Sequence, residues 1–241
     1  MTKIEWTQRP GTKGVSWNPI RARDTETGKD GWFCVHASDG CKICYAEQMN
    51  HRFGNGLDYT AQNRARAEPF LHDATLLAPF HWTRKPRTVF VCSMTDLFED
   101  LHTDAMIDRV FAVMALCPDQ TFLVLTKRAA RMRDYLSDTD RDAKIWSEAQ
   151  WFFMRHNLDR DRAVHCCDMW PLKNVWLGVS AESQTTADQR IPNLLTTPAA
   201  RRFVSYEPAR ALIDFGALQY DGVTNIDALG GRHGVNLSAT C

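Results

Sequence analysis

Arg87-Thr88-Val89-Phe90-Val91-Cys92-Ser93 is a short, nearly continuous apolar run that opens on a cation and closes on a hydroxyl. A strand buried on both faces of a parallel sheet reads this way, without strict alternation. The same kind of run recurs downstream as Thr121-Phe122-Leu123-Val124-Leu125-Thr126, Asn174-Val175-Trp176-Leu177-Gly178-Val179-Ser180 and Arg202-Phe203-Val204-Ser205-Tyr206-Glu207-Pro208. Helical patterns separate the runs. Thr103 is placed to cap a helix through about residue 117, with Met106, Ile107, Val110, Phe111 and Met114 on one face. Residues 127–136 read as a basic amphipathic helix and residues 186–195 as another. Strands alternating with helices predict a parallel sheet with right-handed crossovers.

Upstream, Val15-Ser16-Trp17-Asn18-Pro19 is a candidate first strand. That makes five strands before residues 212–241, which are glycine-rich and weakly patterned. Residues 138–171 predict a charged, tryptophan-rich helical insertion, and Pro69, Pro79 and Pro86 break up residues 57–86. We read residues 1–241 as a single α/β domain, a size that single α/β barrels reach.

Lysine and arginine number 29, as do aspartate and glutamate, so the formal charge is zero. That excludes a broad electrostatic nucleic-acid or membrane footprint and leaves room for a local basic groove. No apolar run approaches the ~20 residues of a membrane span, and residues 1–6 lack the apolar core of a signal peptide. Eight cysteines in a chain of this size point to a reducing cytoplasm and a cysteine-bound metal rather than to disulfides.

The cysteine stretch is Cys34-Val35-His36-Ala37-Ser38-Asp39-Gly40-Cys41-Lys42-Ile43-Cys44, spaced C-x6-C-x2-C before a helix over about residues 44–53 that Gly54-Asn55-Gly56 stops. Three close thiolates at a loop-to-helix junction suggest an iron–sulfur cluster with one iron left open. Structural zinc is the rival, with His36 completing a Cys3His set, and three unrelated buried thiols are the plain alternative. The loop follows the candidate first strand. The other apolar runs end in polar groups: Ser93 with Asp96, Thr126 with Lys127 and Arg128, Ser180 with Glu182, and Ser205 with Glu207. Ligands of parallel α/β folds bind at such carboxyl ends; helix capping is the bland account of each hydroxyl taken singly. Cys92 and Cys117 read as core thiols, and adjacent Cys166 and Cys167 as free ones. Trp146, Trp151, Phe152 and Trp170 read as packing residues more than as a platform for a base.

Trp17-Asn18-Pro19, Gly40-Cys41-Lys42-Ile43-Cys44-Tyr45-Ala46-Glu47, Ser93-Met94-Thr95-Asp96-Leu97-Phe98, Leu125-Thr126-Lys127-Arg128, the 174–180 run and Ser205-Tyr206-Glu207-Pro208 together resemble the phage and prophage three-Cys-motif family of unknown function, from about Trp6 to Asp214. That family in turn resembles radical S-adenosylmethionine (SAM) enzymes, whose cluster loop is usually C-x3-C-x2-C with an apolar or aromatic residue before the last cysteine, where Ile43 stands. The first spacing is longer here. Ser93-Met94-Thr95-Asp96 also replaces the Gly-Gly-Glu type of turn.

The resemblance implies an incomplete (β/α) barrel with a [4Fe–4S] cluster on Cys34, Cys41 and Cys44. The open iron would chelate SAM. Asp96, Ser180 and Glu182 would be its polar contacts, and Lys127, Arg128 and Glu207 the catalytic candidates on the substrate side. A reductant protein and an unknown substrate are the partners it implies. It also implies a further strand with a Gly-Gly-Glu-Ser-Gly turn. This chain has Gly230-Gly231-Arg232-His233 there and stops at Cys241, as a truncated form or a divergent fragment would. The rival reading is not an enzyme. It is a metal-stapled module, in a phage or defence setting, that binds nucleic acid or protein.

Overall fold

Each apolar run is a strand in the computed structural model, which describes residues 7, 11–82, 85–158, 170–220, 223–226 and 237–240. In chain order the strands are β1 (Lys13–Trp17), β2 (Ile20–Asp24), β3 (Asp30–Gly31), β4 (Ala67–Leu71), β5 (Arg87–Val91), β6 (Thr121–Thr126), β7 (Val175–Ser180), β8 (Arg201–Ser205), β9 (Leu218–Tyr220), β10 (Val223–Ile226) and β11 (Leu237–Thr240). The α-helices are α1 (Tyr45–Phe53), α2 (Asp73–Leu76), α3 (Asp104–Ala115), α4 (Ala129–Leu136), α5 (Arg141–Arg155) and α6 (Gln184–Thr196).

The main sheet runs β1-β5-β6-β7-β8-β11, in chain order, and every neighbouring pair is parallel. Trp17 lies opposite Val91, Val91 opposite Val124, Thr126 opposite Val179 and Ser180 opposite Ser205. The carboxyl ends of the strands are therefore level along one rim. β11 pairs with β8 from Leu237 to Thr240. The weakly patterned tail thus contributes a strand that its sequence did not announce. Leu-Ser-Ala-Thr is too short and too polar to give an apolar run, yet its backbone covers the open edge of β8. The Gly230–His233 turn lies outside the described residues.

Helices pack the sheet as the periodicity requires. The Thr103 hydroxyl accepts from Met106 N at 3.3 Å and starts α3, whose Ile107, Val110, Phe111 and Met114 enter the core. The described part of the insertion contains α5, which Ile145, Ala149 and Phe152 press onto the same core; residues 159–169 of the insertion lie outside the described residues. Asp108 Oδ1 accepts from Tyr135 Oη at 2.6 Å and Arg141 Nη1 at 2.8 Å, a buried polar joint among α3, α4 and α5. Trp146 and Trp170 pack against the core; Trp151 is half-exposed, with the Arg109 guanidinium 5.3 Å from its ring centre. Cys92 and Cys117 are buried, while Cys166, Cys167 and Cys241 lie outside the described residues.

A second, antiparallel sheet, β3-β2-β4, was not anticipated. Its strands carry arginines and Pro69 and so lack an apolar run; Pro69 is tolerated because β4 is an edge strand. It backs a small separate core of Ala22, Phe33, Ala46, Leu57, Tyr59, Ala67 and Met94, and this core carries the cysteine loop.

Candidate functional site

The cysteine loop is extended at Cys34 and tightens toward α1. Thr95 Oγ1 donates to Phe33 O at 2.6 Å, and His36 N donates to Tyr59 O at 3.0 Å. Cys41 lies in a 3-10 turn, Asp39–Ile43, and Cys44 is the N-cap residue of α1. Two of the distant sequence blocks meet below it. Asn18 Oδ1 accepts from Met94 N at 3.0 Å, its Nδ2 donates to Ser93 Oγ at 3.2 Å, and Cys92 N donates to Trp17 O at 2.8 Å with Cys92 in the left-handed region, φ 55°.

Two polar clamps seat this loop on the strand ends. In the first, Glu99 is 1% exposed and accepts from Val35 N at 2.9 Å, from the Cys34 thiol at 3.4 Å and from Arg128. Arg128 also donates to Val35 O at 2.7 Å, to Cys34 Sγ at 3.6 Å and to Asp96 Oδ2 at 3.3 Å. Asp96 is held in turn by Thr126 Oγ1 at 2.7 Å, Lys127 N at 2.9 Å and Phe98 N at 3.0 Å. Burial opposes the Arg128 charge, but Asp96, Cys34 and Glu99 outweigh it and raise its pKa further.

In the second clamp, Glu182 accepts from Ser38 Oγ at 2.8 Å, Gly40 N at 3.1 Å, Arg190 at 3.4 Å and the Lys127 ammonium. Burial disfavours its ionised form; the Lys127 and Ser38 hydrogen bonds, with the charges of Lys127 and Arg190, more than offset that and hold its pKa below the ordinary value. Gly40 is needed at this approach. A Cβ there would stand 2.5 Å from the Glu182 carboxyl carbon.

The three thiols share one neighbourhood. Burial is the main reason the Tyr59 phenol pKa is raised, and the Cys34 and Cys44 sulfurs add to it; the Cys41 sulfur acts likewise on Cys44. Burial pushes the Cys34 thiol well up, against the pull of Arg128, and pushes Cys44 up as well. The thiols and His36 do not form a set with all donor atoms within 4.8 Å of one another. A tetrahedral zinc with bonds of about 2.3 Å to sulfur needs such a set. His36 Nε2 is engaged by Glu47 Oε2 at 3.0 Å. Three thiols at a loop-to-helix junction are a donor set that an iron–sulfur cluster or a zinc ion could draw on.

The residues expected at the strand ends divide. Asp96 and Arg128 join Cys34, and Lys127 and Glu182 join the loop at Ser38 and Gly40. Ser180 is buried at the end of β7, with its carbonyl accepting from Arg190 at 3.0 Å. Glu207 is exposed and makes no polar contact among the described residues. Glu99, Ser38, Gly40 and Arg190 were not singled out from the sequence. The signal for Glu99 was an acid three residues after Asp96 around the apolar pair Leu97-Phe98; a turn with Glu99 N on Asp96 O at 3.0 Å aims both acids one way. Beside Glu182 opens a cavity of about 670 Å³, lined by His36, Ser38, Thr185 and Arg210 among others, within the size range of small-molecule sites.

No helix among the described residues is long and apolar enough to cross a membrane. No curated protein and no solved structure matches the chain. A family model, described as a protein of unknown function (DUF5131), matches residues 1–236. With that match over nearly its whole length, the chain belongs to the DUF5131 family.

Proposed function

We propose that this chain is a radical-SAM-like enzyme of the cytoplasm, an incomplete (β/α) barrel that holds a [4Fe–4S] cluster on Cys34, Cys41 and Cys44 and binds SAM beside it. The observation that carries the reading is the double clamp. Buried Glu99 and Glu182, with Arg128 and Lys127, fix a three-thiol loop over the carboxyl ends of β5, β6 and β7. Parallel strands in chain order with ligand groups at their carboxyl ends are the arrangement of barrel enzymes. The phage setting rests on the sequence resemblance alone.

When bound, such a cluster supplies an electron to the sulfonium of SAM and a coordination position for its amino and carboxylate groups. The chain's own residues do the rest. Arg128 holds Val35 O and brings a positive charge to Cys34 Sγ, which favours the thiolate that a metal requires. Asp96 orients Arg128, one of its four protein donors, and would meet the amino group of SAM from the same rim. Glu182 and the adjoining cavity offer the acceptor and the space for the polar end of SAM. Ser180, at the carboxyl end of β7, would add a polar contact to SAM. Lys127 neutralises Glu182 and would yield that place to a cationic group of the ligand. The substrate and a reductant protein would approach from the open rim.

The test is oxygen-free reconstitution followed by iron, sulfide and zinc analysis and electron paramagnetic resonance of the reduced protein with and without SAM. A brown protein with about four irons per chain, a signal altered by SAM, and loss of most iron in Cys41→Ala are expected. Colourless protein with zinc that Cys41→Ala releases would support the stapled binding module instead. An intact cluster blind to millimolar SAM would remove the radical mechanism.

A further inference from the structure

Glu47, His51 and Asp58 each bring a donor atom to within 4.8 Å of the other two, on the outer side of α1. Among the described residues no other trio of histidine, cysteine or carboxylate is so disposed. Glu47 and His51 stand four residues apart, one helical turn, and share a face. Asp58 arrives from the segment after the helix, with its Oδ1 3.0 Å from His51 Nε2.

The trio is presented by fixed backbone. Glu47 is only 16% exposed; its Oε1 accepts from Tyr59 N at 2.6 Å, and its Oε2 meets His36 Nε2 at 3.0 Å. The turn between His51 and Asp58 is set by Asn50 Nδ2, which donates to Asn55 Oδ1 at 2.7 Å and to Leu57 O at 3.1 Å. Gly56 has φ +79°, and Gly54 lies so close to the Asn50 carboxamide that no side chain fits there. An exposed ion pair on a loose loop would show none of this restraint.

We propose that Glu47, His51 and Asp58 bind a divalent transition-metal ion, of the Mn²⁺ and Zn²⁺ kind, with water in the remaining positions. Two carboxylate oxygens and one imidazole nitrogen suit such ions, and a set without sulfur admits the harder ones. Each carboxylate keeps lone pairs beyond its present hydrogen bonds. His36 acts from behind, orienting Glu47 as outer partners of metal ligands do. The ion ties α1 to the residue-58 segment and so braces the helix whose N-cap residue is Cys44. The site is independent of the three thiols. Zinc found in a preparation is then no evidence of zinc on the cysteines unless a cysteine variant releases it.

The experiment titrates the full, metal-free chain with Mn²⁺ alone, reading the free-ion electron paramagnetic resonance signal. Mn²⁺ is chosen because it has little liking for thiolates. One equivalent should bind below millimolar concentration, unchanged in Cys41→Ser. His51→Ala and Asp58→Ala should each weaken binding about tenfold or more, and His36→Ala about tenfold. The His51 and Asp58 side chains are exposed, so circular dichroism should show both variants folded. Absence of binding by the unaltered chain overturns the proposal. So does unchanged binding in His51→Ala and Asp58→Ala, or loss of binding in Cys41→Ser. None of these outcomes depends on whether the cysteines hold a cluster.

Discussion

The main sheet and the cysteine loop stand side by side and are held by opposite physics. The sheet's core is a continuous apolar mass in which β5, β6, β7 and the helices α2 to α6 share the burden. The loop rests on a small core of its own and on a few charged groups that reach across from the strand ends. Apolar packing is redundant, because every side chain touches many others. A polar clamp is not, because one missing partner leaves a buried charge exposed to its full desolvation cost. Substitutions in the two regions should therefore fail in different ways.

The largest effect belongs to the sheet. Phe122 is fully buried in β6, with its ring centre 5.6 Å from that of Trp17. Phe122→Ala should cost about 3–5 kcal/mol of global stability, read by chemical denaturation. Hydrogen exchange in residues 34–44 should rise only as far as that global loss requires. Next comes Arg128→Ala, which strands Glu99 and Asp96 together. About 3 kcal/mol is expected, at the low end for a broken buried pair because Arg128 is 13% exposed. Here exchange in residues 34–44 should rise far more than in β6. Equal rises in both segments would show that loop and sheet unfold as one, and the contrast between them would be lost.

This contrast also explains what was legible in the sequence. β5, β6, β7 and β8 could be read because burial on both faces forces consecutive apolar residues, and α3 because Thr103 and a five-residue apolar face mark its start and side. β2 and β4 could not. The first is rich in charge and the second interrupted by Pro69, and only their pairing makes them strands. β11 was hidden for the same reason. At the site, the cysteines, Asp96, Lys127, Arg128 and Glu182 could be read from spacing or from a place at a strand end. Glu99 could not, since it matters through Arg128, 29 residues away, and Arg190 is one more charge on α6 until Glu182 is seen beside it. Gly40 carries no mark of its own, because only the carboxylate behind it requires a residue without a Cβ.

The smallest expected effect is a pH dependence, and it isolates the second clamp. Glu182 faces Lys127 from the β6 end, Arg190 from α6, and Ser38 and Gly40 from the loop, with Asp39 the nearby like charge. Its folded pKa is lowered relative to an unfolded glutamate near 4.3. A lowered carboxyl contributes stability that is full above the unfolded value and disappears as pH falls through the folded one. Glu182→Gln keeps an acceptor for Ser38 and Gly40 but removes the charge that Lys127 and Arg190 meet. The variant should be less stable by about 1 kcal/mol at neutral pH, and the gap should close below about pH 4. Denaturation of both proteins across pH 3–7 measures it. A gap that stays constant down to pH 3 would mean that Glu182 holds the loop by hydrogen bonding alone, and that the Lys127 charge adds nothing to the clamp.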